Sequence, residues 1–273
     1  MGRDNSVVAP VILLGLGFTT RRLARRLLVR RVPVFAASRE PGRFGELAEL
    51  GVEIGDFRAA GFPLGACTVH TIPPLAEAEN AGIHEFIRQL EPRRVVYISA
   101  TSVYGEQTTV DAETRVSGCD EKSRRRIEEE EWIAAGPWSS LMVRPAAIYG
   151  PGRGVHTRIM EGRLPRGTGS GVVSRIHVDD LAAVLEAGIL SDVEGAWPLA
   201  DDRPCSSEEI AAWCTRLLRL GGVNGKAATF PVAGRHVDGR KIRELLGITL
   251  MYPSYESGIL ASLAEERVAR QRD

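Results

Sequence analysis

Val8-Ala9-Pro10-Val11-Ile12-Leu13-Leu14-Gly15-Leu16-Gly17-Phe18-Thr19-Thr20 runs from an apolar stretch through two spaced glycines into a segment with helical periodicity. Val8 to Leu14 is dense enough in β-branched and apolar residues to be a buried strand. From Thr20 to Arg31, Leu23, Leu27 and Leu28 fall on one face and arginines on the other, as an amphipathic helix requires. Two glycines between a strand and a helix are the context a dinucleotide fingerprint needs. Gly15 makes the tight turn and Gly17 lets backbone approach a pyrophosphate at the helix N-terminus. Phe18 and Thr19 follow at the start of the helix. Thr20 occupies the third glycine position, which predicts a slightly displaced helix or altered phosphate contacts.

About twenty residues further on, an NAD site would present an acidic residue to the ribose hydroxyls. This chain has Ser38-Arg39 after its second strand, Val32 to Ala37. A hydroxyl beside a guanidinium suits a 2′-phosphate, so NADP(H) is favoured, with NAD(H) as the alternative. The competing reading makes Arg39 a solvated loop residue. Asp56, after the third strand, is placed either to meet adenine or to cap a turn. Ile72 and Pro73, beyond the fourth strand, and Pro145, at the end of the sixth, join the expected cofactor-binding set.

Short apolar runs continue at Val52 to Ile54, Thr68 to Ile72, Val95 to Ser99 and Leu141 to Val143, with helical patterns at Arg43 to Leu50 and Ala76 to Leu90. Alternation of this kind predicts an α/β fold: a doubly wound parallel sheet of the Rossmann type, with right-handed crossovers. The character changes after Gly150. A glycine-rich basic stretch from Gly162 to Gly171 reads as a loop or lid. Helical patterns at Val178 to Leu190, Ser206 to Leu220 and Asp238 to Leu246, with a short strand at Trp197 to Ala200, read as a small C-terminal α+β lobe. The expected division is a dinucleotide-binding domain over 1–150 and a lid and substrate lobe over 151–273.

Composition narrows the function classes. The 273 residues are 44% hydrophobic and 26% charged, enough for a large core and too apolar for disorder. Lys plus Arg and Asp plus Glu both count 35, so no global field recruits nucleic acid or acidic membrane. The arginines at 21, 22, 25, 26, 30 and 31 lack the interleaved aromatics of a single-strand platform. Cys67, Cys119, Cys205 and Cys214 form no C-x-x-C pair, so we expect no metal site and buried thiols in a reducing compartment. Met1 to Ser6 formally fits a myristoylation pattern, and no small-residue cleavage site follows the apolar run ending at Phe18. The expectation is a cytoplasmic protein that neither binds nor crosses a membrane.

Three further motifs carry a resemblance. Ile98-Ser99-Ala100-Thr101-Ser102-Val103-Tyr104-Gly105, Arg144-Pro145-Ala146-Ala147-Ile148-Tyr149-Gly150-Pro151-Gly152 and Arg175-Ile176-His177-Val178-Asp179-Asp180-Leu181-Ala182 occur in this order. With the glycine turn they resemble the extended short-chain dehydrogenase/reductases, the NAD-dependent epimerase/dehydratase superfamily, and most of all a compact, nucleoside-diphosphate-sugar-epimerase-like branch. The resemblance implies a hydroxyl polarising the substrate carbonyl and a Tyr-x-x-x-Lys pair on the next helix moving the proton. Here Ala100 stands at the hydroxyl position with Thr101 beside it. The resemblance also places a glutamate eight residues after the tyrosine, and Glu128 to Glu131 leave that register open; taking Glu130, Lys122 stands for the tyrosine and Arg126 for the lysine. No tyrosine occurs between Tyr104 and Tyr149.

Thr101, Lys122 and Arg126 are therefore the candidate catalytic residues of a modified set. A lysine whose proton affinity is lowered by burial and a neighbouring cation can act as an acid, whereas a guanidinium serves only as a fixed cation. The competing reading of this helix is a solvated face laced by the i,i+4 pairs Arg124–Glu128, Arg125–Glu129 and Arg126–Glu130. By the resemblance Tyr104, Tyr149 and His177 line a substrate pocket; each is equally a packing residue. Arg166 and Arg175 are placed either to meet an anionic substrate or as surface charge. Asp180 precedes an apolar helix and reads as its N-cap. Two functions remain open: an oxidoreductase or epimerase on a sugar-nucleotide-like substrate, and a catalytically inactive NADP(H)-binding sensor. The acidic and basic character of the catalytic-pair helix makes a poor apolar interface, so a monomer and a homodimer are both expected forms.

Overall fold

The computed structural model describes residues 9–57, 61–162, 171–218 and 234–271. In chain order the elements are β1 (Val11–Leu14), α1 (Phe18–Val29), β2 (Val34–Ala37), α2 (Gly45–Glu49), β3 (Glu53–Gly55), β4 (Cys67–His70), α3 (Glu77–Gln89) and β5 (Arg94–Ile98). There follow β6 (Thr109–Val110), α4 (Glu121–Ala134), β7 (Ser139–Pro145), β8 (Ala147–Tyr149), α5 (Val155–Met160), β9 (Arg175–His177), α6 (Val178–Ile189) and β10 (Gly195–Leu199). The chain ends with α7 (Ser207–Leu217), β11 (His236–Val237), α8 (Arg240–Leu246) and α9 (Tyr255–Arg270).

Seven strands form one sheet in the order β10-β7-β5-β4-β1-β2-β3. The pairings from β7 to β3 are all parallel, and helices α1, α2, α3 and α4 form the crossovers from β1 to β2, β2 to β3, β4 to β5 and β5 to β7. All four residues of β1 and of β4 are buried, which matches the unbroken apolar run of β1, while β4 buries Thr68 and His70 beside Cys67 and Val69. β1 lies between β4 and β2, where the winding reverses. The crevice at the carboxyl ends of such strands is where doubly wound sheets bind ligands. The expected α/β Rossmann architecture is thus observed.

The chain divides into two compact units. Unit 1 comprises residues 1–99, 120–143 and 182–196; unit 2 comprises 100–119, 144–181 and 197–273. The core of unit 1 is built from Ile12, Leu14, Ile83, Phe86, Ile87, Val95, Tyr97, Ile133 and Met142. That of unit 2 gathers Tyr149, Ile159, Cys205, Ile210, Cys214, Tyr255 and Ile259. Within unit 1, Arg26 and Arg30 both pair with the buried carboxylate of Glu186.

Several expectations need correction. The short strand expected at Trp197 to Ala200, in a C-terminal lobe that partly shares the sheet, is β10 over Gly195–Leu199, the edge strand of the main sheet. Asp180 is no N-cap: α6 already begins at Val178, and the Asp180 carboxylate accepts the N–H groups of Met251 at 2.7 Å and Tyr252 at 3.0 Å. The 16-residue α9 was not anticipated at all. Three cysteines are buried as expected, but Cys119 is exposed. The myristoylation pattern at residues 1–6, Arg166 and most of the expected lid lie outside the described residues. Among the described residues no helix is long and apolar enough to cross a membrane.

Candidate functional site

The glycine turn after β1 is held from within by two threonines of unit 1. The Thr20 hydroxyl accepts the Gly17 N–H at 2.7 Å and donates to the Gly15 carbonyl at 2.9 Å. The Thr71 hydroxyl, just beyond β4, donates to the carbonyl pair of Leu14 and Gly15 at 3.0 and 3.1 Å. Gly15 has φ +91°, and a Cβ there would sit 2.8 Å from Thr71 Oγ1 and 3.0 Å from Ile72 Cγ1. Conformation and space both demand glycine at that position. Gly17 differs, because its φ of −139° is open to any residue and a Cβ would meet nothing within 4 Å. The space beside it is open, and the first N–H groups of α1 point toward the end of the helix it begins.

The remaining expected cofactor residues of unit 1 sit beyond the carboxyl ends of successive strands. Ser38 follows β2; its N–H donates to Gly55 O at 3.0 Å, and its hydroxyl accepts the Glu40 N–H at 3.1 Å. Arg39 beside it has a side chain 77% exposed, with its guanidinium 3.9 Å from the Glu79 carboxylate. Asp56 follows β3 and is half-buried, as is Ile72 beyond β4, while Pro73 is exposed. Ile72 also packs on the unit 1 core. These residues would hold a dinucleotide along the edge of β1, β2, β3 and β4. A turn that needs glycine at Gly15 for its own geometry, and leaves Gly17 open, fits such a group.

Of the catalytic candidates, Lys122 and Arg126 lie on α4 in unit 1. Asp120 caps this helix by accepting the Ser123 N–H at 2.7 Å, while Ser123 Oγ accepts the Asp120 N–H at 3.1 Å. Lys122 is exposed in the first turn and Arg126 is half-buried one turn later. Burial pushes the Tyr97 phenol up, opposed by the charge of Arg126. The rest of the helix is not a uniformly solvated face: Arg125 makes its i,i+4 pair with Glu121 rather than Glu129, and Glu129 and Glu130 are buried. The Glu129 carboxylate accepts from Asn80 Nδ2 at 2.7 Å and lies 2.9 Å from His84 Nε2 and 3.3 Å from His70 Nε2. Burial alone would raise this carboxyl, but His70, then Asn80 and His84, hold it down at about 2. Sequence reasoning missed His70, His84 and Glu129, because a run of alternating charge blocks looked solvated throughout. Among the described residues no group of three or more His, Cys, Asp or Glu side chains is placed to hold a metal ion.

Thr101 belongs to unit 2, in a one-turn 3-10 helix spanning Thr101–Tyr104. Arg235, also missed, donates to the carbonyls of Thr101 and Gly105 and, at 2.8 Å, of Gln107. Arg144 Nη1 donates to the buried Tyr104 hydroxyl at 3.0 Å, with the guanidinium 5.1 Å from the ring centroid. The Arg144-Pro145 dipeptide ends β7. Tyr149 and His177 come together with ring centroids 5.2 Å apart. Tyr149 donates to Ser254 O at 3.2 Å, and Gly258 of α9 makes room for its hydroxyl. His177 lies 3.2 Å from Ser262 Oγ and accepts the Asp179 N–H at 3.2 Å. Arg175 is buried, donating to Val173 O at 2.7 Å, Cys205 O at 2.8 Å and Ser207 Oγ at 2.9 Å. Burial pushes the neighbouring Asp201 carboxyl up to about 7.

No protein-family model matches the chain. A 106-residue segment is 31% identical to the 3-diazoavenalumate denitrifying reductase of a Streptomyces species, spanning 36% of this chain and about a third (34%) of that protein. Solved structures agree over nearly the whole length. A conserved Silicibacter pomeroyi protein of unknown function is 27% identical, with TM-score 0.79 over 94% of this chain and 99% of its own. A Methylobacillus flagellatus structure described as an NAD-dependent epimerase/dehydratase is 23% identical, with TM-score 0.73 over 95% and 99%. MoeE5, solved with UDP-glucose and NAD, is 20% identical, with TM-score 0.76 over 95% and 99%. The chain shares the overall fold of these structures.

Proposed function

We propose that the chain is an NADP(H)-binding oxidoreductase or epimerase acting on a carbonyl or hydroxyl of a sugar-nucleotide-like substrate through a modified acid–base set. The observation that carries this reading is the open space at Gly17, a glycine that the turn itself does not need. Gly15, Gly17, Phe18, Thr19 and Thr20 would hold the pyrophosphate, Ser38 and Arg39 the 2′-phosphate, and Asp56 the adenine end. Ile72, Pro73 and Pro145 would flank the nicotinamide. The exposed, loosely paired Arg39 supports the phosphorylated cofactor. The NAD found with MoeE5 keeps the unphosphorylated form as the alternative, and its UDP-glucose supports the substrate class.

When bound, the nicotinamide supplies hydride exchange. The chain's own groups do the rest: Thr101 donates a hydrogen bond to the substrate oxygen, Lys122 Nζ gives or takes the proton, and Arg126 is a fixed cation. Tyr104 and Tyr149 form substrate-pocket walls, with Arg175 and His177 as rigid supports, since their polar atoms are engaged within unit 2. The reading includes a cytoplasmic monomer or homodimer, in keeping with four free thiols. The second reading, a sensor that binds both redox forms without turnover, is favoured by the missing helix tyrosine.

Incubation with NADPH or NADP+ and a panel of UDP-sugars separates them, following nicotinamide fluorescence and the sugar products by NMR. The enzyme reading expects product from at least one sugar, with the rate down about a hundredfold or more in Lys122→Ala. Binding of both redox forms with no product across the panel overturns it in favour of the sensor.

A further inference from the structure

A second concave site lies in unit 1, at the sheet edge opposite the glycine turn. Here α3 ends before β5 begins and α4 ends before β7 begins. Between these connections is a cleft of about 620 Å3 whose lining includes Arg88, Glu91, Trp132, Gly136 and Trp138. Its volume falls in the range of small-ligand pockets.

The walls are built rather than incidental. Trp138 is anchored by its indole N–H to Ile133 O at 2.9 Å, and its ring occupies the place where a Cβ on Gly136 would stand. Trp132 lies 5.5 Å from Trp138 and is braced by His84 stacked on it at 3.6 Å. Glu91 holds a left-handed backbone conformation, φ +44°, that side-chain-bearing residues rarely adopt.

Among the described residues the cleft carries one cation, Arg88 in the last turn of α3, set against a negative surround. The carboxyl ends of both α3 and α4 face it, each carrying partial negative charge. A helix ordinarily places basic residues in its last turn, but α4 has none there. It reverses the favourable order, with Lys122 and Arg124 to Arg126 near its start and Glu128 to Glu131 toward its end. Two indole faces and the Glu91 carboxylate add to the negative potential. The guanidinium of Arg88 already rests 5.4 Å from the Trp132 ring centroid, a cation of the chain's own in the position such a site favours.

We propose that this cleft binds a small organic cation, a quaternary or substituted ammonium group held by Trp132, Trp138 and Glu91, with Arg88 as its built-in competitor. The site is independent of the dinucleotide end and of the reaction proposed above.

The test is titration with choline at constant ionic strength, followed by tryptophan fluorescence and calorimetry, with 3,3-dimethylbutan-1-ol as the neutral isostere. Saturable choline binding at least tenfold tighter than the alcohol is expected. Glu91→Gln should weaken it, Trp132→Leu should abolish it, and Arg88→Ala should strengthen it severalfold by removing the competitor. All three positions are away from the glycine turn, so dinucleotide affinity should not move and serves as the folding control. Equal binding of choline and alcohol, no saturable binding, or an Arg88→Ala protein that binds choline no better than wild type would overturn the proposal.

Discussion

Thr20 Oγ1 accepts the Gly17 N–H at 2.7 Å while donating to Gly15 O at 2.9 Å, so a hydroxyl at the position where the dinucleotide fingerprint has a third glycine for close helix–strand packing ties the turn together here. The side chain is buried against the turn. Thr20→Val keeps the volume and removes both bonds, leaving the half-buried Gly15 carbonyl to Thr71 and the N–H of the exposed Gly17 without that partner. A loss of about 0.5–1.5 kcal/mol in urea denaturation is expected, together with weaker dinucleotide binding. Unchanged stability would mean that the hydroxyl does not hold the turn.

The two glycines should separate stability from binding. Gly15→Ala forces an L residue to φ +91° and drives its Cβ onto Thr71 and Ile72, so it should cost roughly 1–3 kcal/mol in thermal or chemical unfolding. Gly17→Ala meets nothing and should stay within about 1 kcal/mol of wild type, yet its methyl occupies the space left for the pyrophosphate. We expect at least a tenfold loss of dinucleotide affinity in this second variant, measured on protein whose unfolding curve is unaltered. Full binding by Gly17→Ala would place the cofactor elsewhere.

Glu129 gives the protein a specific acid sensitivity. Its carboxyl is depressed in the folded state to about 2, against an ordinary value of 4.5. The linked stability is therefore fully present above about pH 4.5 and is lost as pH falls toward 2. The amount is about 3 kcal/mol at most. Glu129→Gln should be less stable than wild type at pH 7 and show a flatter decline between pH 4.5 and 2. Parallel pH profiles for the two proteins would contradict the arrangement of His70, Asn80 and His84 around a charged carboxylate.

Asp201 works with the opposite sign. Burial raises its carboxyl from 3.8 to about 7, so the folded state resists ionising it. Stability is highest below about pH 4 on this account and declines as pH rises to 7, then stays level. Asp201→Asn preserves the acceptor for the Arg203 N–H and removes the ionisation. It should raise the melting temperature at pH 8 and leave it nearly unchanged at pH 4. A lower melting temperature at pH 8 would show that the charge is needed.

Much of the fold was legible because strand and helix periods alternate cleanly over the first 145 residues. The unbroken apolar run at Val11–Leu14 and the leucine stripe of α1 leave no other pairing of period and burial. Legibility fails where long-range contacts override local pattern. Asp180 looks like a cap because caps are local, but its carboxylate is claimed by Met251 and Tyr252, seventy residues away. Glu129 looks solvated because its neighbours are charged, but β4 and α3 of unit 1 close over it. The glycine turn was readable as a motif, whereas the role of Thr20 within it depends on a hydroxyl geometry that spacing does not encode. Arg235 carries no motif, and only the fold places it beneath the Thr101–Tyr104 turn.

The central claim is a phosphorylated dinucleotide at the turn after β1. Its most direct test is titration of the wild-type protein and of Arg39→Asp with NADPH, NADP+, NADH and NAD+, by calorimetry and nicotinamide fluorescence. The account predicts saturable binding with preference for the phosphorylated pair, and a loss or reversal of that preference in Arg39→Asp. Folded protein that binds none of the four, or an Arg39→Asp variant whose preference is unchanged, would contradict it.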